Sequence, residues 1–556
     1  MNDARALKAR DHLWGALLCI AYVSVLVWTA PDLALSRDES FYVHAAKSYA
    51  GWLSEAFSDP ASALGQQRIE QAWSYNWEHP ALMKLAFAVS WIAQEHWSLF
   101  STDSLAFRFP AMLTAGLLLW LIYAWGASVM PRRAALLSAL GFALMPRVFY
   151  HSHLACFDVP ITFFFTLTAY AYWRFLADRR WLAAVGIAFG LALATKHNSW
   201  MLPAIFLVHF AWVRIDEARS EQLDRSSVAW LPSMILIGPL VLIGTWPWLW
   251  HDTWRRLAAY AAFHLHHVHY TYEYLGVSYF QPPFPWGVPF VMTLFTVPLT
   301  FIVLALLGLY GARESLRLPW TTHIGDVTSR RAQVLWLGCM LAPLLAIALP
   351  SSPIFGATKH WLPAYPFLAL FAGQGFAEVT EMAELHAWLG RRWPSSAFLA
   401  LCLLPGAVQT SHSHPFALSY YTPLAGGVPG AADLGMNRQF WGFTTGSLAP
   451  WLRAELPNGG SVWLCDTTVG AWAMLQADGI VPTNIRATSI MSDADFVLVH
   501  HEPHFNEVEY QAWVAFDTVR PVHLLLYDGV PIISVYENPK HAAKADRKPN
   551  PVQSDR

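Results

Sequence analysis

Asp38 and Glu39 stand side by side just beyond the first apolar run, in the stretch Ser36-Arg37-Asp38-Glu39-Ser40-Phe41-Tyr42. Acids at a membrane edge are costly unless they work or are paired. A carboxylate in that position can take a proton from a hydroxyl, and two adjacent acids raise one another's pKa. A solvated loop pair or a helix cap is the competing reading of the same residues. Further polar groups recur where apolar runs begin or end: Glu78-His79-Pro80 with Lys84, Arg108, His151 and His153 with Asp158, Lys196-His197-Asn198, and Lys359-His360. Acids and cations gathered at one membrane face suit an anionic ligand, because Arg matches phosphate with its fork and Lys as a point charge. Each also has a plainer alternative. Arg108 can snorkel, Lys196 and Lys359 can end helices, and Asp158 can cap the run that opens at Val159-Pro160.

These groups need elements to hold them, and the composition says which. Hydrophobic residues make up 55% of the 556 and charged residues 13%, against about 25% charged in soluble domains. Mean hydropathy is +0.32. The 29 tryptophans suit interfacial aromatic belts. A net charge of −2 gives no global attraction to nucleic acid. Cys19, Cys156, Cys339, Cys402 and Cys465 lack metal or disulfide spacing. The expected fold is a polytopic α-helical membrane protein with about 11 transmembrane helices and a cytoplasmic N-terminus, followed by a soluble α/β domain on the outer side.

The expected spans lie near 13–31, 108–130, 134–150, 158–176, 181–195, 198–213, 228–249, 286–310, 332–350, 360–377 and 395–411. Basic clusters then orient them: Arg5/Lys8/Arg10, Arg132/Arg133, Arg179/Arg180, Arg214/Arg219/Arg225, Arg313/Arg317/Arg330/Arg331 and Arg391/Arg392. With this count every cluster falls on the cytoplasmic side. Residues Leu82–Trp97 are apolar enough to span, yet counting them would reverse every later loop. The stretch 80–98 is therefore expected as an interfacial helix within a long first outer loop, 32–107. A second outer loop, from about Trp250 to Pro285, interleaves His264, His266, His267 and His269 with tyrosines. Rings at the headgroup level, one or two of them lining a cleft, are expected there ahead of a metal site.

After residue 411 the pattern changes. Ser461–Asp466 and Phe496–His500 read as short buried strands, and Leu524–Tyr527 with Ile532–Tyr536 as a hairpin about Asp528-Gly529. Thr468–Gln476 and Asn506–Phe516 read as helices. The expected division is 1–411 in the membrane, 412–540 as a periplasmic α/β domain, and 541–556 as a disordered tail. Asp433, Trp441 and Asp466 are polar candidates in that region, with core or turn roles as the alternative.

The motifs resemble a family. From Arg37 to about Arg214 the chain looks like the polyprenyl-phosphate-sugar-dependent glycosyltransferases of the protein O-mannosyltransferase and aminoarabinose-transferase type, in the membrane-embedded glycosyltransferase-C class. The resemblance rests on Asp38-Glu39, on Glu78-His79-Pro80-Ala81-Leu82-Met83-Lys84, on Arg108-Phe109-Pro110-Ala111, and on Pro146-Arg147 through Ala155-Cys156-Phe157-Asp158. Lys359-His360-Trp361-Leu362-Pro363-Ala364-Tyr365-Pro366 resembles a late-span motif of the same family. Ala81 departs from the family's second proline, and His360-Trp361 stands where Arg-Tyr is often found.

The resemblance implies a sugar carried on an isoprenoid phosphate and a hydroxyl acceptor that is protein, lipid or glycan. It implies hexosyl, mannosyl or pentosyl transfer with inversion, Asp38 as general base and Glu39 orienting the acceptor or tuning Asp38. Lys84, Arg108, Asp158, Lys196, Lys359 and His360 would hold the substrate and its phosphate. No cofactor and no nucleotide is required, and a divalent metal on Glu78 and His79 stays open. A bacterial inner-membrane location is implied, with membrane lipid as surroundings. A transporter and an oligosaccharide ligase are the rivals. The first is disfavoured because no internal repeat is seen, the second because it would lean on an outer Arg/His site rather than an acidic first loop.

Overall fold

The computed structural model describes residues 7–219, 226–316, 327–354, 356–382 and 395–542. Arg225, Arg317, Arg391 and Arg392 lie outside the described residues, as does the expected tail from 543 onward. Among the described residues 69% are helical. Every expected apolar run falls on a helix or a broken helix pair. The run 134–150, for example, becomes Arg132–Ala143 and Pro146–His153, bent by 67°. The run 286–310 breaks at Pro298 into Val288–Thr296 and Leu299–Gly311.

Among the described residues, Ala9–Asp32, Asp103–Val129 and Val327–Ala348 are long and apolar enough to cross, and the bent pair makes up to four. Several of the other expected runs are broken by prolines or 3₁₀ turns, which the hydropathy of a run does not register. The helix Leu82–Trp97 is 16 residues long and buries one face, through Met83, Lys84, Phe87 and Ala88.

Arginines of three of the expected basic clusters are paired with acids. The first helix, α1 (Ala9–Thr29), is capped by Asp11, whose carboxylate accepts from Lys8 N at 2.8 Å and pairs with Arg132 at 2.5 Å. Glu217 pairs with Arg214 at 3.0 Å and Arg331 at 2.8 Å, and Asp216 pairs with Arg330. Ser329 reaches Val129 O, next to the Arg132 turn. Shared acids thus draw together arginines that lie far apart in sequence.

Helices Leu299–Gly311 and Tyr365–Glu381 touch backbone to backbone. A Cβ at Gly308 would lie 1.9 Å from Phe371 O, and one at Gly375 1.9 Å from Leu304 O. Small residues allow such close approach. Gly375→Val is therefore expected to destabilise the protein by about 1–3 kcal/mol or more through overpacking. Thermal unfolding in detergent micelles should read this as a lowered Tm with the secondary structure retained.

The C-terminal part carries a mixed five-stranded sheet in the order β4-β3-β5-β7-β6, with β3 (Gly460–Leu464), β4 (Ile485–Thr488), β5 (Phe496–His500), β6 (His523–Tyr527) and β7 (Val530–Glu537). β3 pairs β4 and β5 in parallel, while β7 lies antiparallel to β5 and β6. β5 is buried throughout, as its unbroken apolar run demands. Helix Val469–Ala477 packs on one face through Trp472 and Leu475, and Asn506–Phe516 on the other through Ala512 and Phe516. Two further strands, β1 (Tyr272–Tyr274) and β2 (Val277–Tyr279), form a hairpin in the loop 250–285. Its Leu275-Gly276 turn has positive φ at both positions. Gly276 N donates to Gly435 O, and a Cβ at Gly435 would lie 2.3 Å from Gly276 Cα, so the hairpin is held against the C-terminal part.

Candidate active site

The second helix, α2 (Arg37–Ser58), begins where Ser36 and Glu39 form a capping box. Ser36 N donates to Glu39 Oε2 at 3.0 Å and Ser36 Oγ at 3.1 Å. Glu39 turns inward and takes the fork of Arg108, with Nε to Oε1 at 2.7 Å and Nη2 to Oε2 at 3.0 Å. Ala155 N also donates to Glu39 Oε1 at 3.1 Å, and Arg108 donates to Ala34 O at 2.8 Å. Both side chains are almost wholly buried, 3% and 1% exposed. Successive residues on a helix point about 100° apart. Glu39 facing the core therefore sends Asp38 the other way, into a cavity. This differs from two expectations: neither Glu39 nor Arg108 lines the cavity, and the two spend their charges on each other.

The cavity measures about 850 Å³. Asp38, Glu78, His79, Asp158, Lys196, Lys359 and His360, all expected from the sequence, line it. Lys359 Nζ donates to Asp38 Oδ2 at 2.9 Å, and Lys196 Nζ to Asp158 Oδ1 at 2.6 Å. Two carboxylate–lysine pairs thus face one hollow. Burial pushes Asp38 up, but Lys359 and Arg37 more than offset it and hold the carboxyl below its ordinary value. Arg37 lies 4.0 Å from Asp38 Oδ1 and donates to Asp466 Oδ1 at 2.8 Å. Lys359 also sits 4.0 Å above the Trp441 ring. Gly356 makes that fit possible: its φ is +70°, and a Cβ there would lie 2.1 Å from Trp441 and 2.6 Å from Lys359 Cε.

Lys84 is a further correction. It is fully buried and donates to Asn76 O at 2.6 Å and His79 O at 2.9 Å. Burial lowers its ammonium to about 7. It staples the 76–79 turn rather than lining the cavity. Glu78 Oε1 accepts from Asn76 Nδ2 at 2.6 Å. His79 packs edge-on against Tyr42, and burial holds it well below its ordinary pKa, so its ring is neutral. Among the described residues, the one set of three acids and histidines whose ligand atoms converge is Glu273, Glu502 and His504, not Glu78 and His79.

The second outer loop supplies His264, His267, Tyr270 and Tyr272 to the wall. His264 packs against His197 with ring centres 4.1 Å apart and planes tilted by 31°, and burial lowers it to about 4. Of the three C-terminal candidates, Trp441 and Asp466 line the cavity, whereas Asp433 is exposed at the end of the short helix Gly427–Asp433. Gly356, Tyr42 and Asn437 were missed because nothing in their local sequence marks them.

Residues 79–251 match the family described as Dolichyl-phosphate-mannose-protein mannosyltransferase. The match supports the resemblance to polyprenyl-phosphate-sugar-dependent glycosyltransferases. No curated protein matches this sequence. Among solved structures, ArnT from Cupriavidus metallidurans in the apo state is similar at 14% identity and a TM-score of 0.48, over 95% of this chain and 98% of that one. The same protein bound to undecaprenyl phosphate gives 15% and 0.46, over 94% and 97%. The apo oligosaccharyltransferase from Archaeoglobus fulgidus gives 12% and 0.48, over 92% of this chain and 71% of that one.

Proposed function

We propose that this chain, whose residues 79–251 match that mannosyltransferase family, moves a sugar from a polyprenyl-phosphate donor to a hydroxyl acceptor at the outer face of a membrane. One observation carries the reading: a buried hollow in which Asp38 and Asp158 each hold a lysine, with His360 alongside. The family match supports the lipid-phosphate donor. In this reading all eleven expected runs cross the membrane, some as broken helices, with the N-terminus cytoplasmic. Residues 1–411 form the transferase body and 412–540 a periplasmic domain over its mouth, in a bacterial inner membrane.

The chemistry follows from the charges. Asp38 takes the proton of the acceptor hydroxyl, and the oxygen attacks the anomeric carbon of the sugar. The bond from that carbon to the phosphate oxygen breaks on the opposite side, so configuration inverts. The leaving group departs as a phosphate monoester, stable as an anion, and needs no general acid. Lys359 and Lys196 stabilise its developing charge. Asp38 stays ionised because Lys359 and Arg37 hold it low. Activity should therefore be flat in the base-limited sense through neutral pH, and fall only as pH drops below about 4, the ordinary carboxyl range. A pH profile of kcat/KM checks this.

Purified protein given a labelled polyprenyl-phosphate sugar with protein, lipid and glycan acceptors should glycosylate one class. Solute uptake into proteoliposomes without any transfer would instead favour a transporter. Lys359→Met is expected to cost on the order of 10²-fold in kcat/KM, as for loss of one anion-stabilising donor. Lys359→Arg should restore part of it.

A further inference from the structure

From the convergence of Glu273, Glu502 and His504 we infer a divalent-cation site, suited to Zn²⁺, that fastens the β1–β2 hairpin of the second outer loop to the C-terminal sheet. Glu273 sits on β1, Glu502 just past β5, and His504 in the following 3₁₀ turn. Their ligand atoms all lie within 4.8 Å of one another. His504 Nδ1 is 3.0 Å from Glu273 Oε1, and its Nε2 is 3.7 Å from Glu502 Oε2. An ion takes one of the two ring nitrogens, so the ligand atoms would close from within 4.8 Å of one another toward the edge of a tetrahedral zinc site, about 3.3 Å for bonds near 2.0 Å.

The second observation concerns unsatisfied oxygens. Glu273 Oε2 and Glu502 Oε1 are buried and meet no hydrogen-bond partner. Their residues are 2% and 7% exposed. A buried carboxylate oxygen without a donor is rare unless a proton or an ion serves it. Asp466, 4% exposed, also lies beside Glu502 and adds to the acidic character of the cluster. Carboxylates with an imidazole suit Zn²⁺ better than Mg²⁺, which prefers oxygen and retained water. Glu502 and His504 also line the cavity, so the ion has an entry path.

The inference stands apart from the transferase reading and is tested by metal content. Tag-free full-length protein, stripped with chelator, is loaded with Zn²⁺, gel-filtered and assayed by mass spectrometry. The wild type should retain about one zinc per chain, and Glu502→Gln and His504→Ala should lose it, with affinity reduced roughly 10–100-fold or more. Glu78→Gln, which lines the same cavity but lies outside the three-residue cluster, should keep it. His504 is part-exposed, so that variant stays informative if Glu502→Gln folds poorly. Co²⁺ loaded in place of Zn²⁺ should give a visible spectrum that vanishes in His504→Ala. A wild type that holds no zinc, or zinc retained equally by both variants, would overturn the site and leave His504 as a cationic bridge between two acids.

Discussion

Asp38→Asn should abolish most sugar transfer while leaving the protein folded and the donor bound. The asparagine keeps a side-chain oxygen for Lys359, which now donates to Asp38 at 2.9 Å, so the wall of the cavity persists. What disappears is the capacity to take a proton. Loss of a positioned general base costs roughly 10²–10⁴-fold in rate. The loss should appear in kcat, with KM for the lipid donor nearly unchanged. Steady-state kinetics beside a thermal melt decides the matter. Equal loss of kcat and of stability would mean that Asp38 matters as the partner of Lys359 and not as a base.

The largest effect on stability is expected one residue further on. Glu39 and Arg108 form a bidentate pair, almost wholly out of water. Removing one partner strands the other charge in the core, at a cost of about 3–5 kcal/mol. Glu39→Gln and Arg108→Met should each unfold the protein well below the wild-type Tm, or prevent its recovery from the membrane. The double variant Glu39→Leu/Arg108→Met should lose less than either single one, because no charge is left unpaired. That pattern separates a scaffold pair from a catalytic one. If instead Glu39→Gln keeps its Tm and loses activity, Glu39 acts on the substrate.

The contrast between Asp38 and Glu39 marks the limit of the sequence. Both stood out because acids next to an apolar run are costly. The rotation that divides them between cavity and core is a property of the helix that begins at Arg37, and adjacency in sequence hides it. Lys84 and Arg108 were legible as expensive charges, yet their partners were not: Asn76 and His79 carbonyls for one, Glu39 for the other. The strands and helices after residue 411 were readable because short apolar runs between turn residues leave few options, and β3, β5, β6 and β7 fall where those runs lie. Crossings were harder to count. Hydropathy tracks a run of residues, while Pro298 and the turn before Pro146 break the helices within it. His504 and Glu273 are 231 residues apart, and no local pattern joins them. The hollow joined far-apart motifs that the sequence could only place on the same face.

The most direct measurement follows the anomeric signal of the sugar by proton NMR while phosphorus NMR follows the lipid, in a reaction of purified enzyme, polyprenyl-phosphate sugar and hydroxyl acceptor. A single Asp38 base predicts a product of opposite anomeric configuration to the donor, formed one-for-one with free polyprenyl phosphate. Retained configuration, or product formed at the wild-type rate by Asp38→Asn, would contradict it.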